Sequence, residues 1–153
     1  NRPNQASRRG RQRHMIVLDT NVLSELMRPV PAERVVRWVA AQPATSLYTT
    51  SIAQAEILHG ILLLPRGRRR TALQAAAEAM FNEDFDGRVL PFGSQSAVIY
   101  ASIAVDRRRA GRPISQFDAQ IAAISRSVAA AIATRNVSDY EDCGVTVINP
   151  WEA

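Results

Sequence analysis

The segment MIVLDTN, residues 15–21, joins an unbroken apolar run directly to a carboxylate. Ile16, Val17 and Leu18 form a run that is typical of a strand buried in a parallel sheet. Asp19 follows at once, although a carboxylate without a partner is costly to bury. The segment therefore predicts a buried strand that ends at an acid whose charge must be stabilised by something nearby.

Strand-like and helix-like runs alternate along the rest of the chain. The predicted strands cover residues 16–19, 46–50, 88–92, 130–134 and 145–149. The predicted helices cover about 22–27, 32–42, 52–62, 71–81, 94–110 and 116–128. Because helices separate the strands, we expect an α/β fold, a three-layer α/β/α sandwich with a mostly parallel central sheet.

Two local predictions accompany this assignment. Ser51 is expected to cap the third helix, on which four apolar residues share one face. These residues are Ile52, Ala55, Leu58 and Leu62. The segment NEDFDG, residues 82–87, is expected to form a polar loop.

Composition narrows the class of protein. A chain of 153 residues suits one domain. Its uncharged runs are shorter than the ~18 residues that would span a bilayer, so we expect no membrane partner. The single cysteine, Cys143, excludes an intrachain disulfide and agrees with a cytoplasmic location. Two histidines argue against a zinc site built from several of them.

The net charge of +5 belongs to one end of the chain. Residues 1–14 contain five arginines and no acid, whereas from Met15 onward 14 arginines balance 14 acids. This basic extension is compatible with a disordered arm, a mis-set start site or a tag. We favour Met15 as the natural start and treat residues 15–153 as a single domain.

Four acids are predicted to lie near one edge of the sheet. Asp19 ends the first strand, and Asp139 follows the fourth. Glu56 lies one turn into the helix after the second strand, and Asp118 lies in the first turn of the helix after Pro113. In parallel α/β sheets this carboxyl edge is where sites form. Each acid alone is explained by helix capping, the helix dipole or a turn.

Together, the four carboxylates repel one another and need a counter-charge. Arg135 is close in sequence, but the chain contains no lysine at all. A hard divalent cation with oxygen ligands, Mg²⁺ or Mn²⁺, is the natural neutraliser. Such an ion activates water and stabilises charge on a phosphoryl oxygen, which predicts metal-assisted phosphodiester hydrolysis.

Several segments resemble one known family. They are MIVLDTNVLSELMRP, TSIAQAEILHG, FDAQIAAIS, IATRNVSDY and VTVINPWEA. Together they resemble the PIN-domain ribonucleases, specifically the VapC/FitB-type toxins of bacterial toxin–antitoxin pairs. The resemblance runs from Met15 to Ala153. It implies a PIN-like fold and an endoribonuclease that depends on Mg²⁺ or Mn²⁺.

The resemblance also implies which residues form the site. The metal-binding acids of the family fall on Asp19, Glu56 and Asp118. The fourth acidic position falls on Asn136, which can ligate through its amide oxygen but lacks a charge. Asp139 is the candidate to compensate for this charge, directly or through water. The supporting polar residues of the family fall on Thr20, Asn21 and Thr134.

Similar proteins form homodimers and are inhibited by an antitoxin. The resemblance therefore implies a cognate antitoxin, an RNA substrate and contact with DNA only through the antitoxin. Higher toxin–antitoxin oligomers are compatible with it.

Two arginine clusters are candidates for binding RNA phosphates. They comprise Arg66, Arg68, Arg69 and Arg70, and Arg107, Arg108, Arg109 and Arg112. For each cluster alone, a solvated surface is the simpler interpretation, and the second also ends a helix, where the dipole favours cations. Phe117, beside Asp118, is expected to belong to the core, with stacking on an RNA base as the alternative.

Three other functions are alternatives to a nuclease. A phospho-acceptor domain would need a lysine near its aspartate, and a dinucleotide-binding domain would need glycines after the first strand. Neither feature is present. The alternative that stays open is a PIN-fold module that binds RNA or a protein with little catalysis, because Asn136 replaces an acid.

Overall fold

The central sheet contains five parallel strands in the order β3-β2-β1-β4-β5. The computed structural model describes residues 14–153. The strands are β1 (Ile16–Leu18), β2 (Leu47–Thr50), β3 (Val89–Leu90), β4 (Ala131–Ala133) and β5 (Val147–Ile148). Val17 of β1 is in register with Tyr48 of β2 on one side and Ile132 of β4 on the other. The apolar run that opened the sequence is therefore the middle strand.

Six α-helices lie in the described part of the chain. They are α1 (Thr20–Leu26), α2 (Glu33–Ala41), α3 (Ser51–Leu62), α4 (Arg68–Ala79), α5 (Ser94–Arg109) and α6 (Gln116–Ser127). Two short 3-10 segments, Ala44–Ser46 and Val137–Tyr140, and a π-helical turn, Met80–Asp84, complete the secondary structure.

The side chains of β1 point alternately to the two faces of the sheet and pack in two separate halves of the core. Ile16 and Leu18 pack in a cluster with apolar residues of α1 to α4. Val17, between them, packs in a second cluster with Ile103 of α5 and Ile121 of α6. Side chains of a strand point alternately to the two faces of the sheet, so helices cover both faces. The predicted three-layer α/β/α sandwich is confirmed.

The predicted cap of α3 was wrong, and its predicted apolar face was wrong in part. Ile52 and Leu58 pack against the core, whereas Ala55 is exposed. Thr50, not Ser51, is the N-cap, and its hydroxyl accepts a hydrogen bond from the Ala53 backbone N–H at 3.1 Å. The buried residues are Ala53, Ile57 and Ile61, whereas Leu62 is 52% exposed. The last residue of β2 turns the chain into the helix, and this turn fixes which face meets the sheet.

The predicted polar loop at 82–87 was also wrong in part. Helix α4 continues into the π-helical turn Met80–Asp84, and Phe81 and Phe85 are both buried. These two aromatic residues draw the acidic segment onto the core. Arg88 then ties it to β2 by donating from Nε to the Leu47 carbonyl at 2.9 Å.

The basic extension lies outside the described residues except for His14. That residues 1–14 are not part of the folded domain therefore remains a prediction. Among residues 14–153, no helix is both long and apolar enough to cross a membrane.

Candidate active site

A cleft of about 490 Å³ opens beyond the carboxyl ends of β1 and β4. It is lined by Asp19, Thr20, Asn21, Ser24, Glu25, Arg28, Glu56, Asp118, Arg135, Asn136 and Trp151. Three of the four acids predicted for this edge, Asp19, Glu56 and Asp118, lie together here. The parallel sheet brings them together because strand ends and the starts of the following helices share one edge.

Asp19 is almost fully buried and is held by three donors. Its Oδ1 accepts from the Thr20 backbone N–H at 2.8 Å, so Asp19 also caps α1. Its Oδ2 accepts from the hydroxyls of Thr134 at 2.8 Å and Tyr140 at 3.1 Å. These bonds partly replace the water that the carboxylate loses, and they fix its orientation.

Glu56 and Asp118 are less buried and face the same cleft. Glu56 Oε1 accepts from the Thr20 hydroxyl at 3.1 Å. Asp118 lies in the first turn of α6, where its backbone N–H donates to the cap Ser115 at 3.1 Å. Asp118 Oδ1 accepts from the Tyr140 hydroxyl at 3.3 Å.

Burial raises the pKa of all three carboxyl groups above its usual range. Hydrogen bonds from Thr134, Thr20 and Tyr140 oppose this increase at Asp19 without cancelling it. Repulsion adds to the effect, since the charge of Asp118 raises the pKa of both Asp19 and Glu56. The cleft therefore holds negative charge that its own hydrogen bonds do not fully stabilise.

Tyr140 is a site residue that the sequence did not reveal. Its hydroxyl lies between Asp19 and Asp118, and burial raises its pKa far above the usual range for a phenol. The hydroxyl therefore stays protonated and acts as a donor. One phenol carries one proton, so Tyr140 can donate to only one of the two carboxylates at a time.

A polar network fixes the loop after β4. Asn21 Nδ2 donates to the Thr134 hydroxyl at 3.0 Å, and Asn21 Oδ1 accepts from the Arg135 backbone N–H at 3.1 Å. The Thr134 oxygen also accepts from the Asn136 backbone N–H at 3.1 Å. Thr134 thus accepts twice and gives its own proton to Asp19, which links the loop to the carboxylate.

Asn136 and Asp139 occupy different positions. Asn136 lines the cleft and is exposed. Asp139 is not among the lining residues of the cleft. Burial is the main cause of the raised pKa of Asp118, and the charge of Asp139 raises this pKa further. Asp139 therefore acts on the site through its electric field in this structure.

The second arginine cluster is only partly available to bind RNA. Arg107 is only 6% exposed, and its guanidinium donates to the carbonyls of Arg112, Asp139 and Glu141. The prediction of an RNA contact for Arg107 is therefore wrong, because the segment after β4 needs these hydrogen bonds. Arg112 forms ion pairs with Glu141 and Asp142. Arg108 and Arg109 remain exposed.

The first cluster lies at the start of α4. Arg66, Arg68 and Arg69 are exposed and Arg70 is partly buried. Arg69 lines a groove of about 700 Å³ that shares Thr20 and Glu56 with the acidic cleft.

The prediction that Phe117 belongs to the core was wrong, because this residue is 53% exposed. It lies in the first turn of α6, whose buried side begins with Ala119.

The donor chemistry of the cleft fits a hard divalent cation. Asp19, Glu56 and Asp118 supply carboxylate oxygens, and their mutual repulsion would be relieved by positive charge. Within residues 14–153, no group of three aspartate, glutamate, histidine or cysteine side chains is arranged closely enough to hold a metal ion. The residues present fit the ion by charge and donor type, without forming a closed cage.

The fold is that of a PIN domain: residues 16–138 match the PIN domain family, and the chain belongs to it. The VapC ribonuclease Y4jK of Sinorhizobium fredii is 39% identical over 138 residues, covering 90% of this chain and 99% of that protein. The toxin FitB of Neisseria gonorrhoeae is 38% identical over 137 residues, with coverage of 90% and 99%. The structure of FitAcB from Neisseria gonorrhoeae superposes with a TM-score of 0.82 at 36% identity, covering 91% of this chain and 100% of that one. The resemblance seen in the sequence is thereby confirmed.

Proposed function

We propose that this chain is the toxin of a toxin–antitoxin pair and a divalent-metal-dependent endoribonuclease. The observation that carries the proposal is the convergence of Asp19, Glu56 and Asp118 on one cleft with their pKa values raised together. The relatives named as a VapC ribonuclease and a toxin support it.

Asp19, Glu56 and Asp118 would hold Mg²⁺, or Mn²⁺ in its place. When bound, such an ion supplies an activated water and stabilises charge on a phosphoryl oxygen. The chain's own contribution is orientation. Thr134 and Tyr140 fix Asp19, and Thr20 connects Asp19 to Glu56 by donating from its backbone to one and from its hydroxyl to the other.

Asn136 would contribute a neutral amide oxygen where the family pattern has an acid. The cleft then carries one negative charge fewer, which favours one tightly held ion over two. Asp139 would compensate by its field at Asp118.

A cognate antitoxin would cover the cleft and the adjoining groove. The groove wall contains apolar side chains of three helices, including Met27, Ile61 and Leu73, and its rim reaches Glu56. An antitoxin segment with apolar residues and a cation fits this combination. Contact with DNA would then come only through the antitoxin, and nothing in the cleft calls for a membrane partner.

Two copies of the chain would associate through α5. Val98 and Val105 lie two turns apart on this helix and are 74% and 44% exposed. Ala101 and Ser102, between them, are exposed as well. A stripe of small side chains with an exposed valine at each end suits a helix–helix contact in a homodimer.

The test is cleavage of RNA by the chain freed of antitoxin, with EDTA, Mg²⁺ or Mn²⁺ present. We expect cleavage only with metal, and a loss of cleavage in Asp19→Asn and Asp118→Asn. Undiminished cleavage by both variants would overturn the site.

A binding module with little catalysis is the second candidate, and Asn136 is the observation that favours it. It predicts RNA binding by the wild-type chain with no cleavage of any RNA at any metal concentration. Asn136→Asp separates the two candidates further. If the wild-type chain does not cleave RNA because this position lacks a charge, restoring the acid should create cleavage.

A further inference from the structure

We propose that Arg135, held over the ring of Trp151, binds a phosphodiester of the RNA beside the one that is cut. The inference rests on the proposed function and adds a substrate contact to the same cleft.

The two residues form one wall of the cleft. Both line it, and the Arg135 guanidinium carbon lies 5.2 Å from the centre of the Trp151 ring. At this distance the cation is attracted by the electron-rich face of the indole. Arg135 is nevertheless exposed, so this attraction orients the guanidinium without burying it.

Trp151 is held firmly enough to serve as a platform. Its backbone N–H donates to Asn149 Oδ1 at 3.0 Å, and its carbonyl accepts from Arg34 at 3.1 Å. Its ring is partly buried and packs against the core cluster on the α1–α4 side of the sheet. The Arg135 backbone is fixed in turn by Asn21.

The charges of the cleft show why such a contact is needed. Asp19, Glu56 and Asp118 repel the phosphates of any RNA that approaches them. Arg28 and Arg135 are the basic residues among the lining side chains. Arg28 is ion-paired with Glu25 at 3.1 Å, whereas Arg135 forms no ion pair with an acid within residues 14–153.

A guanidinium in this position is suited to the role. Its planar fork of N–H donors matches two phosphate oxygens, and Arg135 is exposed, so these donors are accessible to RNA. From the sequence, Arg135 was considered only as a counter-charge for the acids, and the predicted RNA contacts were the two arginine clusters. Its partner Trp151 is 16 residues away and meets it only in the folded protein.

The experiment measures binding of a short fluorescein-labelled single-stranded RNA of mixed sequence, by fluorescence polarisation in EDTA at several salt concentrations. We expect Arg135→Ala to bind about tenfold more weakly at low salt, the effect of losing one hydrogen-bonded charge pair. The slope of log affinity against log salt should fall by about 0.7, as for one phosphate contact on a single strand.

Two variants make the comparison specific. Arg135→Lys keeps the charge but loses the fork, so it should keep the salt slope and lose part of the affinity. Arg126→Ala is the matched control, since Arg126 lines a different cavity at the opposite edge of the sheet, beside Met15 and Ala131. The basic residues 1–14 are present in every protein, so their contribution cancels.

Tryptophan fluorescence gives an independent measure. The chain has two tryptophans, and Trp38→Phe leaves Trp151 as the sole reporter. RNA should change its emission, and the change should disappear in Trp38→Phe/Arg135→Ala. Circular dichroism and thermal melting confirm that each variant is folded.

Three results would overturn the inference. They are unchanged affinity and salt slope in Arg135→Ala, an equal loss in Arg126→Ala, and no RNA binding by the wild-type chain in EDTA. Cleavage by the wild type with Mg²⁺ is measured in parallel. Cleavage together with a neutral Arg135→Ala would refute the Arg135 contact and leave the nuclease proposal standing.

Discussion

Asp19 accepts three hydrogen bonds, and each joins it to a different part of the chain. Thr20 is its neighbour, Thr134 follows β4, and Tyr140 lies in the 3-10 segment Val137–Tyr140. The strand β1 is short and fully buried, so the carboxylate cannot withdraw to solvent. The costly position noted in the sequence is therefore stabilised by donors from three segments, which leave the side chain oriented toward Glu56 and Asp118.

The first prediction concerns Tyr140. Tyr140→Phe removes the donor between Asp19 and Asp118 and keeps the ring in the core. We expect Mn²⁺ to bind about tenfold more weakly, in line with the loss of a group that orients metal ligands. Isothermal titration calorimetry measures this. Tyr100→Phe is the control, because Tyr100 contacts Phe92 edge to face and does not line the cleft. Equal Mn²⁺ affinity in both variants would contradict the prediction.

The second prediction concerns pH. The pKa values of Asp19, Glu56 and Asp118 are raised in the folded chain. The folded chain therefore binds protons at these carboxylates more tightly than the unfolded chain does. Without metal, the free energy of unfolding should therefore fall as pH rises from the ordinary values of 3.8 and 4.5 through the raised ones. Glu25 has a lowered pKa, mainly through the Ala32 N–H, and its opposite effect lies at lower pH.

Thermal melting in EDTA across this range measures the effect. Asp118→Asn should flatten the decrease, and Mn²⁺ should restore stability to the wild type at neutral pH. Stability that rises over the same range equally in both proteins would contradict the assignment.

Sequence reasoning found the acids and, through the family resemblance, the donors Thr20 and Thr134, but it did not find the donor Tyr140. A carboxylate at the end of a strand is visible locally, because the edge of a parallel sheet is defined by strand direction. Tyr140 and Asp19 are 121 residues apart, and only the folded chain brings them together. Trp151 was hidden for the same reason, and Arg107 appeared to be a surface charge because its carbonyl partners carry no signal in the sequence.

At the scale of elements, the types were predictable and the boundaries were not. The buried stripe of α3 and the extent of α4 depend on residues just outside the expected helices. Thr50 belongs to β2 by pattern and yet caps α3, while Phe81 and Phe85 extend α4 into a π-helical turn. The cap is a local hydrogen bond between residues three apart, which the sequence pattern assigned to the wrong residue, whereas the extension of α4 depends on tertiary burial of Phe81 and Phe85.

The third prediction separates the two candidate caps of α3. Thr50→Ala should lower the free energy of unfolding by about 1 kcal/mol, because it leaves the Ala53 N–H without its acceptor. Thr50→Ser should keep most of the stability, and Ser51→Ala should change little. Urea unfolding monitored by circular dichroism measures all three. A larger loss in Ser51→Ala than in Thr50→Ala would restore Ser51 as the cap.

At the scale of the whole molecule, alternating strands and helices were sufficient to predict the three layers. The strand order β3-β2-β1-β4-β5 places the first strand in the middle, with the predicted acids on strands and helices around it. The surfaces were less predictable. A pattern of apolar residues does not distinguish a helix face that meets the sheet from one left exposed, as on α5, where Ile103 is buried and Val98 is not.

The fourth prediction uses that exposed face. If two copies meet through α5, Val98→Glu places a charge in the contact and should convert a dimer into a monomer. Size-exclusion chromatography with light scattering gives the mass. Val30→Glu is the matched control, since Val30 is 83% exposed in the turn after α1 and should leave the dimer intact. Both variants replace an exposed valine, so the free energy of unfolding within one subunit should change little. A dimer of unchanged stability in Val98→Glu would place the interface elsewhere, and dissociation of both variants would show that added charge alone separates the subunits.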